Sequence, residues 1–174
     1  MPYSPSLVAN AFIHRGQQSK RKFDHQQLQK LVFFVHAWSL TIDGESVVTE
    51  RPEAWPHGPI FGSLYYRLNP FGRKSIAMLT EIHLETGKFV PLIPHLSDKR
   101  VWFFVDQVFG RYAELTGPQL SAQARDDDGP WTEARRAKAI HMQDRSIREY
   151  FERQLPAEPE QRQRFIDAAR ARFT

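Results

Sequence analysis

Cysteine is absent from this chain of 174 residues. Its absence removes disulfides, thiolate nucleophiles and cysteine-ligated zinc, and suits a reducing cytosol. Glycine is sparse, with nine residues, and none of them builds a phosphate-cradling loop. A membrane-spanning run is missing too. The apolar stretch from Leu31 to Ile42 is interrupted by His36 and falls far short of the roughly 20 residues a span requires. The opening MPYSPSLVANAF has neither the charged nor the apolar block of a signal peptide, so a cytoplasmic protein away from membranes is expected. Internal repeats and low-complexity tracts are lacking.

What is present favours a folded domain. Hydrophobic residues make up 41% and aromatics 13% of the chain, enough to bury a core at this length. The net charge of +4 permits contact with nucleic acid or an acidic partner without demanding either.

One stretch, Asp24 to Gly44, reads as a buried central helix. Asp24 caps it with Gln27 three residues on, as a capping box requires. Leu28, Leu31, Val32, Val35, Ser39 and Ile42 recur at helical spacing, with Trp38 beside them. Phe33, Phe34 and Ala37 fall on the remaining faces, so neighbours must wrap this helix. Gly44 is suited to stop it. Before it, Ser4-Pro5 opens a helix that Gly16 is expected to end, followed by a polar linker with Lys20, Arg21 and Lys22. After it, Val47 to Thr49 reads as a single strand or extended segment. In Pro52 to Leu68 the prolines bar a helix from the first half, and Pro59 is expected to open a new one, with Ile60, Leu64 and Leu68 on its inner face. Asn69 to Gly72 is a turn, and residues 82–90 are a hairpin candidate. Ser97 starts a helix to about Thr116, which Gly117-Pro118 should stop. Short helices over about 120–125, 130–139 and 144–155 follow. An amphipathic helix then covers 159–173, with Phe165, Ile166, Ala169 and Phe173 as its stripe. The expected class is mainly α with a minor β element: a compact helical domain around the central helix, a short strand or hairpin, and a C-terminal amphipathic helix.

Little in the residues points to catalysis. The seven histidines, His14, His25, His36, His57, His83, His95 and His141, include no pair at the i, i+4 spacing that places two imidazoles on one helical face, and no HExxH occurs. No metal or cofactor is expected. The GxSxG nucleophile elbow is missing around Ser63. Glu53, between two prolines and close to Trp55, is the most notable acid. It reads better as a hydrogen-bond anchor for its loop than as a catalyst. The basic clusters at 20–22, 135–138 and 162–172 show no helix-turn-helix spacing and read as solvated faces.

Three stretches together resemble the Panacea domain family, also called SocA-like and seen in prophages as GepA. LQKLVFFVHAW, Leu28 to Trp38, is similar to the family's LQKLLYYAxGW helix. EAWPHGP, Glu53 to Pro59, is similar to its EAWxxGP loop. LSAQARDDDGPW, Leu120 to Trp131, is similar to its segment ending in PW. Phe33 and Phe34 stand where tyrosines are common, and Gln123 to Arg125 replaces the usual Thr-His. The resemblance covers about residues 4–153, which gives a Panacea domain over 1–155 and a helical extension over 156–174. It implies a non-enzymatic, mostly helical domain of antitoxins. Such antitoxins bind and neutralise a toxin protein, often encoded by an adjacent gene, and some act as adaptors that hand the toxin to a protease.

Within that reading Leu28, Gln29, Lys30, Leu31, Trp38, Glu53, Gly58 and Pro59 are structural motif residues. Trp55, His57, Tyr65, Tyr66, Arg67 and Trp131 are the candidates for partner contact, since aromatic and arginine side chains make most interface hot spots. Two other readings stay open. A nucleic-acid-binding regulator of phage or toxin–antitoxin genes requires a continuous basic face. An enzyme built on Glu53 and His57 requires both side chains in one cleft.

Overall fold

A helix that is apolar on nearly every face is stable in water only when other elements surround it. The computed structural model, which describes residues 1–82 and 84–174, places α2 (His25–Asp43) in that position. Around it pack α1 (Pro5–Gln18), α3 (Gly62–Leu68), α4 (Lys99–Tyr112), α5 (Gly117–Ala124), α7 (Asp144–Glu152) and α8 (Pro159–Arg170). A short α6 (Pro130–Arg136) leans on α7. The β content is two hairpins among the described residues. The first is β1 (Glu53–Trp55) with β2 (Gly58–Ile60); the second is β3 (Thr80–Ile82) with β4 (Phe89–Pro91). The molecule is mainly α with a minor β element.

The capping of α2 follows its sequence. Asp24 accepts the N–H of Gln27 at 2.8 Å, and the Gln27 side chain accepts the N–H of Asp24 at 3.0 Å. Gly44 closes the helix at φ 81°. Between these caps Leu28, Leu31, Val32 and Val35 have no exposed surface. Each such burial stabilises by about 1.5–3 kcal/mol relative to an exposed side chain. Phe34 stacks flat on Tyr112 with centroids 4.2 Å apart, and Phe33, Phe34 and Trp38 meet Phe151 of α7. Trp38 is half-buried, and its indole N–H donates to the Tyr112 hydroxyl.

Three expectations about element ends are corrected. Gly16 does not end α1, which runs to Gln18. A Cβ at Gly16 would stand 2.6 Å from the Arg21 carbonyl oxygen, so this glycine lets the returning chain pass close by. Pro59 does not open a helix. It lies in β2, paired with Ala54, and α3 starts at Gly62. Gly117-Pro118 begins a helix rather than ending one. Thr116 caps α5 with Gln119 in a second capping box, and α4 has already ended at Tyr112. The segment at Val47 to Thr49 makes a single parallel bridge, between Tyr3 and Val48.

Two buried polar side chains fix long connections. Asn10 of α1 donates to the carbonyls of Leu79 and Leu92 and accepts the Leu79 N–H, which pins the second hairpin to the core. His36 of α2 lies between Ser46 (2.8 Å) and Asp144 at the start of α7 (3.3 Å). At the C-terminus, Arg170 of α8 donates to the Ile42 carbonyl, and Phe173 packs on Phe103 and Phe104. None of the described helices is long and apolar enough to cross a membrane.

Candidate protein-binding cleft

The first hairpin turns through Pro56 and His57, and it is held from three sides. From α2, the Lys30 ammonium donates to the Pro59 carbonyl at 2.9 Å. The neighbouring Gln29 amide accepts the Phe61 N–H at 3.0 Å and donates to the Phe61 carbonyl at 3.3 Å. From α6, the Trp131 indole N–H donates to the Trp55 carbonyl at 2.8 Å, and Arg135 donates to the Ala54 carbonyl. On the outer edge of β1, Ala54 N–H donates to the Ile140 carbonyl and Met142 N–H to the Pro52 carbonyl. Each of these bonds goes to a backbone group of the hairpin or of the residue next to it, Pro52 or Phe61, and each of its strands is only three residues long. A hairpin that short is not stable alone, so the side chains supply what its own ladder cannot.

The three motif stretches therefore meet at one place. The Gln-Lys of the first and the Trp of the third both bond to the backbone around the second. Glu53 accepts the Trp55 indole N–H at 2.7 Å, which sets the tryptophan ring at 4.8 Å from Tyr65 of α3. Gly58 takes φ 110°, and a Cβ there would lie 3.0 Å from Lys30 Cε. A side chain at this position is opposed both by the backbone and by the lysine beneath it.

Beside the hairpin opens a cleft of about 630 Å³. Its walls are the first turns of α2, the hairpin tip, Tyr65, the Gly72-Arg73 turn and Pro118. Of the six candidates for partner contact, Trp55, His57 and Tyr65 line the cleft. Tyr66 projects into solvent beside them, 74% exposed. Arg67 is tied to Glu81 at 2.9 Å and to the Thr80 carbonyl, so it braces β3. Trp131 is half-buried behind the hairpin and positions Trp55 through its indole N–H. Sequence reasoning missed His25 and Arg73 on the cleft wall. His25 stands in the first turn of the central helix next to the motif and was within reach of inspection. Arg73 carries no local signal and arrives there through the turn after α3.

Lys30 is 1% exposed. Burial first, and the Arg125 guanidinium second, hold its amine down to about 7. His25 is lowered as well, by burial and then by Lys30, with Asp24 opposing. Glu53 and His57 are not joined as a catalytic pair would require. His57 lies on the exposed tip, whereas the Glu53 carboxylate faces the Trp55 indole and does not line the cleft. Among the described residues no group of three or more His, Asp or Glu is arranged to hold a metal ion, and His83 lies outside the described residues. The basic clusters are partly engaged within the fold. Arg21, Arg135, Arg162 and Arg170 all donate to backbone carbonyls.

Residues 28–132 match the sequence model of the family described as antitoxin SocA-like, Panacea domain. The chain belongs to this family. The matched span begins at the first motif residue, Leu28, and ends one residue past Trp131, so it contains all three motif stretches. Comparison with curated proteins and with solved structures gives no match. The Panacea span does not close its own core. Val8 and Phe12 of α1, and Ile147 and Phe151 of α7, lie outside it and are fully or almost fully buried against it.

Proposed function

We propose that this Panacea-domain chain is a non-enzymatic antitoxin that neutralises a cognate toxin protein by direct contact, and that the toxin is encoded by an adjacent gene. The observation that carries this reading is the braced hairpin. It presents Trp55, His57 and Tyr65, with Tyr66 alongside, around an open cleft. A preorganised aromatic surface loses little entropy on docking and suits a protein hot spot. The cytoplasm, where a co-translated toxin would be met, is the expected site of action.

The test is co-expression of the flanking open reading frame with and without this chain. Growth arrest relieved by the chain, together with a co-purifying pair, supports the proposal; a neighbour that is harmless alone overturns it. Tyr66→Ala, at an exposed position, should leave folding intact and weaken the pair about ten-fold, equivalent to roughly 1.4 kcal/mol. Toxin half-life separates two modes of neutralisation. A steady toxin level with a stable complex marks direct blocking, and a shortened half-life marks delivery to a protease.

A further inference from the structure

The cleft gathers basic side chains without a free anion to balance them. Lys30, His25, His57 and Arg73 line it. Arg125 adjoins Lys30: its Cγ and Lys30 Cε lie 3.5 and 3.0 Å from where a Cβ on Gly58 would stand. Asp24 is the one acid on the wall, and its carboxylate caps α2 through the Gln27 N–H. Glu53, on the adjoining strand, accepts the Trp55 indole N–H. Lys30 has the Pro59 carbonyl as its single acceptor among the described residues, although an ammonium carries three donors. A buried ammonium beside a guanidinium and without a counter-charge is costly, and an anion brought from outside relieves that cost.

The remaining walls restrict which anion fits. Trp55, Pro56, Ile60, Tyr65 and Pro118 make them apolar and aromatic. A bare phosphate would leave these surfaces unused. A nucleic-acid backbone demands a row of permanent cations, and of the residues lining the cleft only Arg73 is one. A carboxylate carried beside an apolar side chain matches both halves of the wall.

We propose that this cleft receives an acidic residue, flanked by an apolar side chain, from a segment of the partner protein. The inference rests on the antitoxin reading above. A docked carboxylate favours the protonated forms of Lys30 and His25, so binding takes up protons and weakens as pH rises.

The experiment is a two-dimensional amide NMR titration of the full chain with the capped peptide acetyl-Leu-Asp-Leu-amide, its Asn counterpart, and inorganic phosphate. The Asp peptide should shift the Trp55 indole and the His57 and Gly58 amides, binding about ten-fold tighter than the Asn peptide. His57→Ala and Arg73→Ser, both at exposed positions, should each weaken the Asp peptide about three-fold and leave the Asn peptide unchanged. Equal shifts from both peptides, phosphate shifts as large as those of the Asp peptide, or no shifts at all overturn the inference. Its failure is distinct from that of the antitoxin reading. A toxin that co-purifies equally with the wild type and with both variants removes the cleft's role and leaves the antitoxin. Intact peptide binding with no toxic neighbour removes the antitoxin reading and leaves the cleft.

Discussion

A lysine that is almost wholly buried and has no carboxylate partner makes stability depend on pH in a predictable direction. The Lys30 amine titrates near 7 in the folded chain and near its ordinary value, about 10.4, when unfolded. Between these values the unfolded state binds the extra proton, so stability rises with pH. The gain begins near pH 7 and amounts to about 1.4 kcal/mol per pH unit within that window. Above about pH 10 the raised tyrosines act the other way, Tyr150 reaching about 12 through burial and then its bond to Asp126, so pH 7 to 9 isolates the lysine. Urea unfolding should show the rise in the wild type and a flatter profile in Lys30→Met. Gln29 gives a second test at this scale. Gln29→Ala leaves the buried N–H of Phe61 unpaired, while the Phe61 carbonyl keeps the Tyr65 N–H, and should cost about 1–3 kcal/mol by the same assay. A loss below half a kcal/mol would mean that the amide pair does not hold β2.

The first hairpin is the element whose shape depends most on its surroundings. Its three-residue strands bond to α2, α6 and residues 140–142. Gly58 sits at φ 110° directly over Lys30. Gly58→Ala forces a disfavoured backbone conformation and a close contact together, and it should destabilise by about 1–3 kcal/mol. A larger effect is expected on the fluorescence of Trp55, whose ring position depends on the turn. The α8 helix behaves differently. It is mostly exposed and is held by Arg170, Ala169 and Phe173. Deleting residues 159–174 should cost on the order of 2 kcal/mol and leave the cleft intact. Toxin binding lost on that deletion would move the contact surface to the C-terminal helix.

At the scale of the whole molecule, the family span and the folding unit differ. Residues 28–132 carry the Panacea match, yet α1 and α7 complete the core around α2. A fragment of 28–132 would expose Phe33, Phe34 and Val35 of the central helix, which are 0–2% exposed in the full chain. It should show no cooperative thermal transition by circular dichroism, whereas the full chain should show one. A sharp transition in the fragment would mean that the matched span folds alone.

Much of the fold was legible because it is written locally. The two faces of α1, the all-round apolar α2, the Asp24 capping box and the amphipathic repeat of α4 are each set by residues within a turn or two of one another, where periodicity and capping operate. Proline and glycine were read less well. At Pro59 and at Gly117-Pro118 the same residues serve a strand pair or a helix start, and only the neighbouring chain decides which. The cleft was half legible. Trp55, His57 and Tyr65 stood out by type and motif, while Arg73 did not. Sequence alone determined the class, the central helix and the family, because these rest on short-range patterns. Tertiary structure decided that Gln29, Lys30 and Trp131 hold one hairpin, and that basic residues of three separate segments face a single opening. Charge repulsion and burial act through space between residues far apart in the chain, and no spacing rule along the chain records that distance.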